Sequence, residues 1–389
     1  MNSYVGAGQL PTNELARNLI EKRKLALILG GVISEERKAE TRQGQRPRID
    51  MVELESRFDV PAYGFDWLEN PHGSRLTHFL GRIYPNQAHL LALQAILVLK
   101  DTDVLYATGE NVGLPLAILL RLARKKRPRL ILRLEQPTYG RTRPRRWIYR
   151  AIYRFGMPRV DLTMCRTHSH VDLLKSWGAD EKKITFDPET TDTRFFNLEN
   201  PVATVDSFQL PARPYIVSAG LEMRDYDTLI EAVDGLPIQV VIGAGSPWSK
   251  MDYEHRADAL PRNVMVSSFT PIEMRELYRG AELVVVPVMP TLRACGMNVI
   301  LEAWAMQKPV VASSTDGLSS YMADGTTGLF AEPQNAEDLR EKIIYAMSHP
   351  GEARAWGMNG WQRVNTELNL ECYLDEVMSA AANLLDEND

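Results

Sequence analysis

The sequence predicts an α/β protein of two doubly wound domains that face each other across a cleft. Three observations predict it. The chain has 389 residues, more than one hydrophobic core normally organises. Short apolar runs alternate with helical patterns along its length, and strands separated by helices build parallel sheets. The alternation breaks at the Pro-punctuated polar stretch 200–214 (NPVATVDSFQLPARP) and then restarts. Hydrophobic residues at 44% and charged residues at 24% exclude general disorder.

In the first half, KLALILGG (24–31), DVLYATG (103–109), RLILRLE (129–135) and DLTMCRT (161–167) read as buried strands, and 86–100 and 112–126 as amphipathic helices. Residues 34–48 lack apolar periodicity and read as a mobile loop. In the second half PYIVSAG (214–220), IQVVIGAG (238–245), NVMVSSF (263–269), ELVVVPV (282–288) and KPVVASS (308–314) are strands, with DYDTLIEAVDGL, PIEMRELYRGA and GMNVILEAWAMQ as the helices between them. This gives a Rossmann-like domain over 1–205, a second over 212–365, and a C-terminal helix at 366–389 expected to pack back on the first. Ligands of such folds bind outside the carboxyl ends of the strands.

Composition narrows the function classes. Cys165, Cys295 and Cys372 are far apart without CxxC spacing, so neither a zinc site nor a disulfide framework is expected. The N-terminus is polar, without a secretory apolar core, and the runs at 90–99 and 114–123 are too short or interrupted to span a bilayer. A cytoplasmic protein is the expectation. The net charge of −5 hides a basic segment: residues 121–159 hold fourteen Lys and Arg against one acid, Glu135. Within it, PRRWIYRAIYRFG aligns Arg146, Arg150 and Arg154 at helical spacing, opposite Trp147, Ile148, Ala151, Ile152 and Phe155. Two readings stand: an interfacial helix at 144–155 on anionic lipid, peripheral at the inner membrane face, or a helix packed on its own sheet with solvated arginines. A nucleic-acid partner is not expected, since the whole chain is acidic and no recognition module is visible.

The stretch TLRACGMNVILEAWAMQKPVVASSTDG (291–317) carries the most chemistry. A loop leads into a helix whose first turn holds Gly296, Met297 and Asn298, and free amides at a helix start form a diphosphate site. The helix is apolar almost all round except for Glu302. A carboxylate there needs a partner; vicinal ribose hydroxyls would satisfy both oxygens, and pairing within the fold is the alternative. In SAGLEMRDYDTLIEAV (218–233), Arg224 precedes a helix start, where the dipole opposes a cation. It fits facing a bound phosphate; a surface pair with Asp225 or Asp227 is the alternative. VIGAGSPWS places Gly243 and Gly245 after a strand but lacks the third glycine of a dinucleotide fingerprint, so an oxidoreductase is not indicated.

Together these segments resemble the retaining glycosyltransferase family 4, of the two-domain GT-B type, clearly over about 210–350 and more weakly over 100–200. The resemblance rests on Gly220 and Arg224, on LEAWAMQKPVVASS, on Asp324, Gly325, Thr327, Gly328 and Leu329, and on TFDPETTDTRFF (185–196). The family commonly has two glutamates eight positions apart; here Glu302 is present and Ala294 stands at the earlier position, as in a branch lacking the first glutamate. Leu221 occupies the position of one of two phosphate-binding cations, with Arg293 as a substitute.

The resemblance implies transfer of a hexosyl group from a nucleoside-diphosphate sugar to a hydroxyl acceptor, with retention. Arg224 and Glu302 would be the principal site residues, with Gly220, Gly243, Arg293, Gly296, Met297 and Asn298 at the donor. No Asp-x-Asp pair stands in a suitable loop, so a metal-independent reaction is expected, with no cofactor besides the donor substrate. The acceptor would be polysaccharide, glycolipid or lipid-linked. Glu110 in ATGENVG and Glu135 in RLEQPTYG each follow a strand and are acceptor-side candidates, although Glu135 among so many arginines also reads as an ion-pair partner. The alternatives are a nucleotide-sugar epimerase or hydrolase on the same fold, which would need an acid/base group near the sugar, and a non-catalytic sugar-nucleotide-binding protein, prompted by Ala294.

Overall fold

The computed structural model describes residues 24–70, 73–125, 128–136, 143–202, 211, 214–244 and 260–386. Most of the interdomain stretch 200–214 and Gly245 lie outside the described residues. The chain forms two compact units. The first comprises residues 1–38, 49–187 and 371–389; the second comprises 39–48 and 188–370.

The first unit holds a six-stranded parallel sheet of β1 (Leu25–Ile28), β2 (Ala62–Tyr63), β3 (Val104–Thr108), β4 (Arg129–Leu134), β5 (Leu162–Cys165) and β6 (Ile184–Phe186). The strands run in the order β2-β1-β3-β4-β5-β6. β1, β3 and β4 are buried almost end to end, as strands covered on both faces must be. The helices Gln87–Val98 and Glu110–Leu122 bury Leu91, Ala95, Leu116 and Leu120 against them.

The second unit repeats the plan with β7 (Tyr215–Ala219), β8 (Gln239–Gly243), β9 (Val264–Ser267), β10 (Leu283–Val286), β11 (Val310–Ser313) and β12 (Leu329–Ala331). Their order is β12-β11-β10-β7-β8-β9, all parallel. This is the doubly wound order whose direction of winding reverses between the first and fourth strands of the unit, here β7 and β10. The two-sheet fold is the expected one.

Residues 34–48 depart from expectation: Glu35–Arg42 is a helix without a buried residue. It has no apolar stripe for periodicity to report. Acids at its start, Arg42 at its end and a Glu35–Lys38 pair at 2.8 Å support it instead. No helix among the described residues is long and apolar enough to cross a membrane.

Candidate nucleotide-sugar site

The switch point of the second unit gathers the sequence-predicted donor residues. β7 ends at Ala219, and the chain turns through Gly220 (φ +92°) and Met223 (φ +55°) to Arg224. This turn is stapled to the segment after β10: Asp225 N donates to Pro287 O at 3.1 Å and Met289 N to Met223 O at 2.9 Å. Asp225 is committed elsewhere. It caps the helix Tyr226–Val233 and accepts the Thr228 hydroxyl at 2.8 Å.

Arg224 is buried, with 7% of its surface exposed, so it is no surface cation paired with Asp225 or Asp227. Its Nε donates to Ala219 O at 2.7 Å and its Nη1 to Glu222 O at 3.0 Å. Those are neutral acceptors: they orient the guanidinium and leave its charge in place. Two of five N–H donors are used this way. Gly220 is required by both its conformation and space, since a Cβ there would lie 2.5 Å from Arg224 Nη2.

Across from Arg224, the helix Met297–Ala305 begins at Gly296, which has φ +99° and supplies no side-chain cap. A Cβ at Gly296 would lie 2.8 Å from Val286 Cγ1, on β10, and 3.7 Å from Arg224 Nη1. The first-turn amides, including those of half-buried Met297 and exposed Asn298, therefore open beside a buried guanidinium. Both are set to receive an anion.

The helix is fixed from behind. Trp304 is fully buried, and its Nε1 donates to Thr327 O at 3.0 Å. A Cβ at Gly360, on the helix Pro350–Thr366, would lie 2.3 Å from its indole. The DGTTGL turn serves the same end: Thr327 Oγ1 accepts from Ala323 N at 2.9 Å and Asp324 Oδ1 from Phe330 N at 2.8 Å.

Glu302 is partly buried on this helix, and Tyr278 donates its hydroxyl to Oε2 at 3.0 Å. Of the two readings of this carboxylate, a partner within the fold is present at Oε2, and Oε1 is the oxygen left without a hydrogen bond among the described residues. Burial raises the Glu302 carboxyl from 4.5 to about 7, against the lowering effects of the Tyr278 hydrogen bond and the Arg224 charge. Sequence reasoning missed Tyr278. A buried phenol on the helix Pro271–Gly280 needs a partner, and that requirement was the available signal.

Gly243 closes β8, with its carbonyl accepting from Gly220 N at 3.1 Å; a Cβ there would meet Met274 Sδ at 3.0 Å. Arg293 is exposed and pairs with Glu222, Nη1 to Oε1 at 3.1 Å. Ala294 is buried.

The acceptor-side candidates lie in the first unit. Glu110 opens the helix after β3, at that sheet's own switch point, and its Oε2 accepts from Gln136 N at 3.2 Å. Burial is the main cause raising its carboxyl above the ordinary range. Glu135 pairs with Arg166 at 2.8 Å. His168 opens the helix His168–Ser176 and stacks on Phe186. In the basic segment, Arg143–Gly156 is a helix with Tyr153 buried but Trp147 73% and Ile148 51% exposed.

Residues 214–363 match the family described as Glycosyl transferases group 1. An uncharacterized glycosyltransferase of Methanocaldococcus jannaschii is 28% identical over 146 residues, covering 37% of this chain and 40% of the relative. A D-inositol 3-phosphate glycosyltransferase of Nocardia farcinica is 26% identical over 206 residues, covering 48% and 44%. The chain thus spans less than half the length of these curated relatives. The crystal structure of HepE from Anabaena in complex with UDP-glucose superposes with a TM-score of 0.65 at 15% identity, over 92% of this chain and 99% of that one; the likeness concerns the fold. The segment that carries Arg224 and Glu302 is therefore similar to the glycosyl transferases group 1 family, in a chain whose two-sheet fold is like that of GT-B glycosyltransferases.

Proposed function

We propose that this protein transfers a hexosyl group from a nucleoside-diphosphate sugar to a hydroxyl acceptor, with retention of configuration and without a metal ion. The observation that carries the proposal is Arg224: a buried cation bonded only to neutral carbonyls, beside the uncapped start of the helix Met297–Ala305. A leaving diphosphate completes that arrangement. As the bond from the anomeric carbon to the diphosphate oxygen breaks, negative charge grows where preset donors already point. The acceptor oxygen bonds to the same face of the anomeric carbon, and its proton leaves on the departing diphosphate, so no strong enzymic base is needed. Glu302 Oε1 would hold a ribose hydroxyl, while Gly220 and Gly243 let the backbone approach the donor. The fold shared with a UDP-glucose complex supports this reading.

Glu110 would orient the acceptor hydroxyl in the first unit. The helix at 144–155, with Arg146, Arg150 and Arg154 exposed, would rest peripherally on anionic lipid. The test is a thermal-shift screen of sugar nucleotides followed by product analysis with candidate acceptors. Stabilisation by one donor, with glycoside formation of retained configuration in the presence of chelator, supports the proposal. An isomerised free sugar would replace it with an epimerase, and binding without turnover with a non-catalytic protein.

A further inference from the structure

The first unit contains a cavity of about 720 Å³ that the donor site does not use, within the range of small-molecule sites. Its walls are largely apolar: Leu80, Leu90, Leu93, Leu114, Ile118 and Ile152. Glu110 and Asn111 line it where β3 ends. Among the other polar groups of its lining, Tyr84 pairs with His89 Nδ1 at 2.6 Å and Asn86 accepts from His89 N at 3.1 Å, and the rings of Tyr149 and Tyr153 also face it.

Two of the lining elements continue outward as exposed apolar surface. Leu76, 50% exposed, lies four residues before Leu80 on the helix Arg75–Gly81, and Phe79 (59%) and Ile83 (69%) extend that face. Ile148 lies four residues before Ile152, and Trp147 is beside it; residues four apart share a helix face. The same two segments carry exposed Arg75, Arg82, Arg145, Arg146, Arg150 and Arg154. Neither 73–84 nor 143–156 contains an acidic residue. Large exposed apolar groups set among exposed cationic residues, in segments that carry no acid, complement an anionic bilayer rather than water.

We propose that this cavity receives the alkyl chain of a membrane-resident alcohol, which is the acceptor of the transfer, presented from an anionic bilayer against residues 75–84 and 144–155. The inference rests on the glycosyltransferase reading. The apolar walls select the chain, and Glu110 accepts a hydrogen bond from the hydroxyl that is to be glycosylated.

The experiment uses the full chain, radiolabelled dodecan-1-ol, and vesicles of phosphatidylcholine with or without phosphatidylglycerol. Leu93→Trp with Ile118→Trp should fill the cavity and weaken dodecanol binding at least tenfold, with the far-ultraviolet circular dichroism unchanged; Ile118→Phe is the milder variant if the pair does not fold. Arg145→Ser with Arg146→Ser and Arg150→Ser should abolish the preference for anionic vesicles while dodecanol binding persists. Undiminished dodecanol binding in the filled variants would overturn the proposal. So would equal partition of the protein to neutral and anionic vesicles, or a dimer in sedimentation that the filling variants dissolve. Donor turnover on water-soluble acceptors, unaffected by filling, sinks the cavity assignment and leaves the transferase reading intact. Dodecanol binding without any sugar-nucleotide binding does the reverse.

Discussion

Each unit buries an arginine near the carboxyl end of its sheet, Arg133 in the first and Arg224 in the second, and these two are held in opposite ways. Arg133, at the end of β4, is 1% exposed and donates to Asp187 and Asp50, both at 3.0 Å, with its guanidinium 4.2 Å from the Tyr373 ring centroid. Arg224 donates to backbone carbonyls only. Nearby carboxylates neutralise Arg133, which therefore joins the C-terminal helix, through Tyr373, to the core of the first unit. Arg224 keeps its charge for something the fold does not supply. A buried cation is costly without a counter-charge, and placing one beside free helix amides makes sense when an anion binds there.

The comparison breaks first at Arg133. Replacing it with Met leaves Asp187 buried without its partner, and the expected cost is about 3–5 kcal/mol of folding stability, read by chemical denaturation. Nucleotide binding by the second unit should be unchanged; a parallel loss of binding would make Arg133 more than structural. Arg224→Ala should show the converse. kcat/KM should fall by about 2–4 kcal/mol of transition-state stabilisation, with a smaller change in melting temperature. Unchanged kcat/KM would remove Arg224 from the site.

Glu302→Gln sharpens the contrast within the second unit. Glutamine can still accept from Tyr278 but loses the charge-assisted bond offered to a ligand, so nucleotide affinity should weaken by about 1.5 kcal/mol. The variant also tests pH dependence. Folded Glu302 keeps its proton up to about pH 7, whereas an unfolded glutamate releases it near 4.5. Between those values the native state binds more protons, so ligand-free stability falls as pH rises. Glu376 in the first unit, raised to about 7 chiefly by burial, adds to the same slope. Glu302→Gln should flatten it in part, and a second change, Glu376→Gln, should flatten it further; an unchanged slope would refute the assignment. The smallest stability effect is expected at Arg293→Ala, because its pair with Glu222 is exposed at 47% and 57% and worth about 0.2–1 kcal/mol. A tenfold loss of activity there, absent from Glu222→Gln, would place Arg293 at the phosphates.

The longer strands were legible because β1, β3, β7 and β10 are buried, nearly unbroken apolar runs. β2, β6 and β12 were not: each spans two or three residues at a sheet edge, all but Ala331 partly buried, too few for a pattern. The candidate donor residues were legible because an arginine at a helix start is opposed by the dipole and because a glycine-led helix start leaves its amides without a side-chain cap. Their surroundings were not. Tyr278 meets Glu302 from 24 positions away, and Arg133 meets Asp50 and Asp187 from 83 and 54, separations that no local spacing encodes. The apolar cavity draws on four helices for the same reason.

The indole seated against Gly360 ties the evolution of two positions. Any enlargement at 360 presses on the aromatic plate that backs the Met297–Ala305 helix, tilting the amides at its far end away from the guanidinium. A viable descendant of this sequence carrying alanine or serine at 360 would therefore need a slimmer residue at 304, and the pair should behave in double-mutant cycles as a single coupled unit.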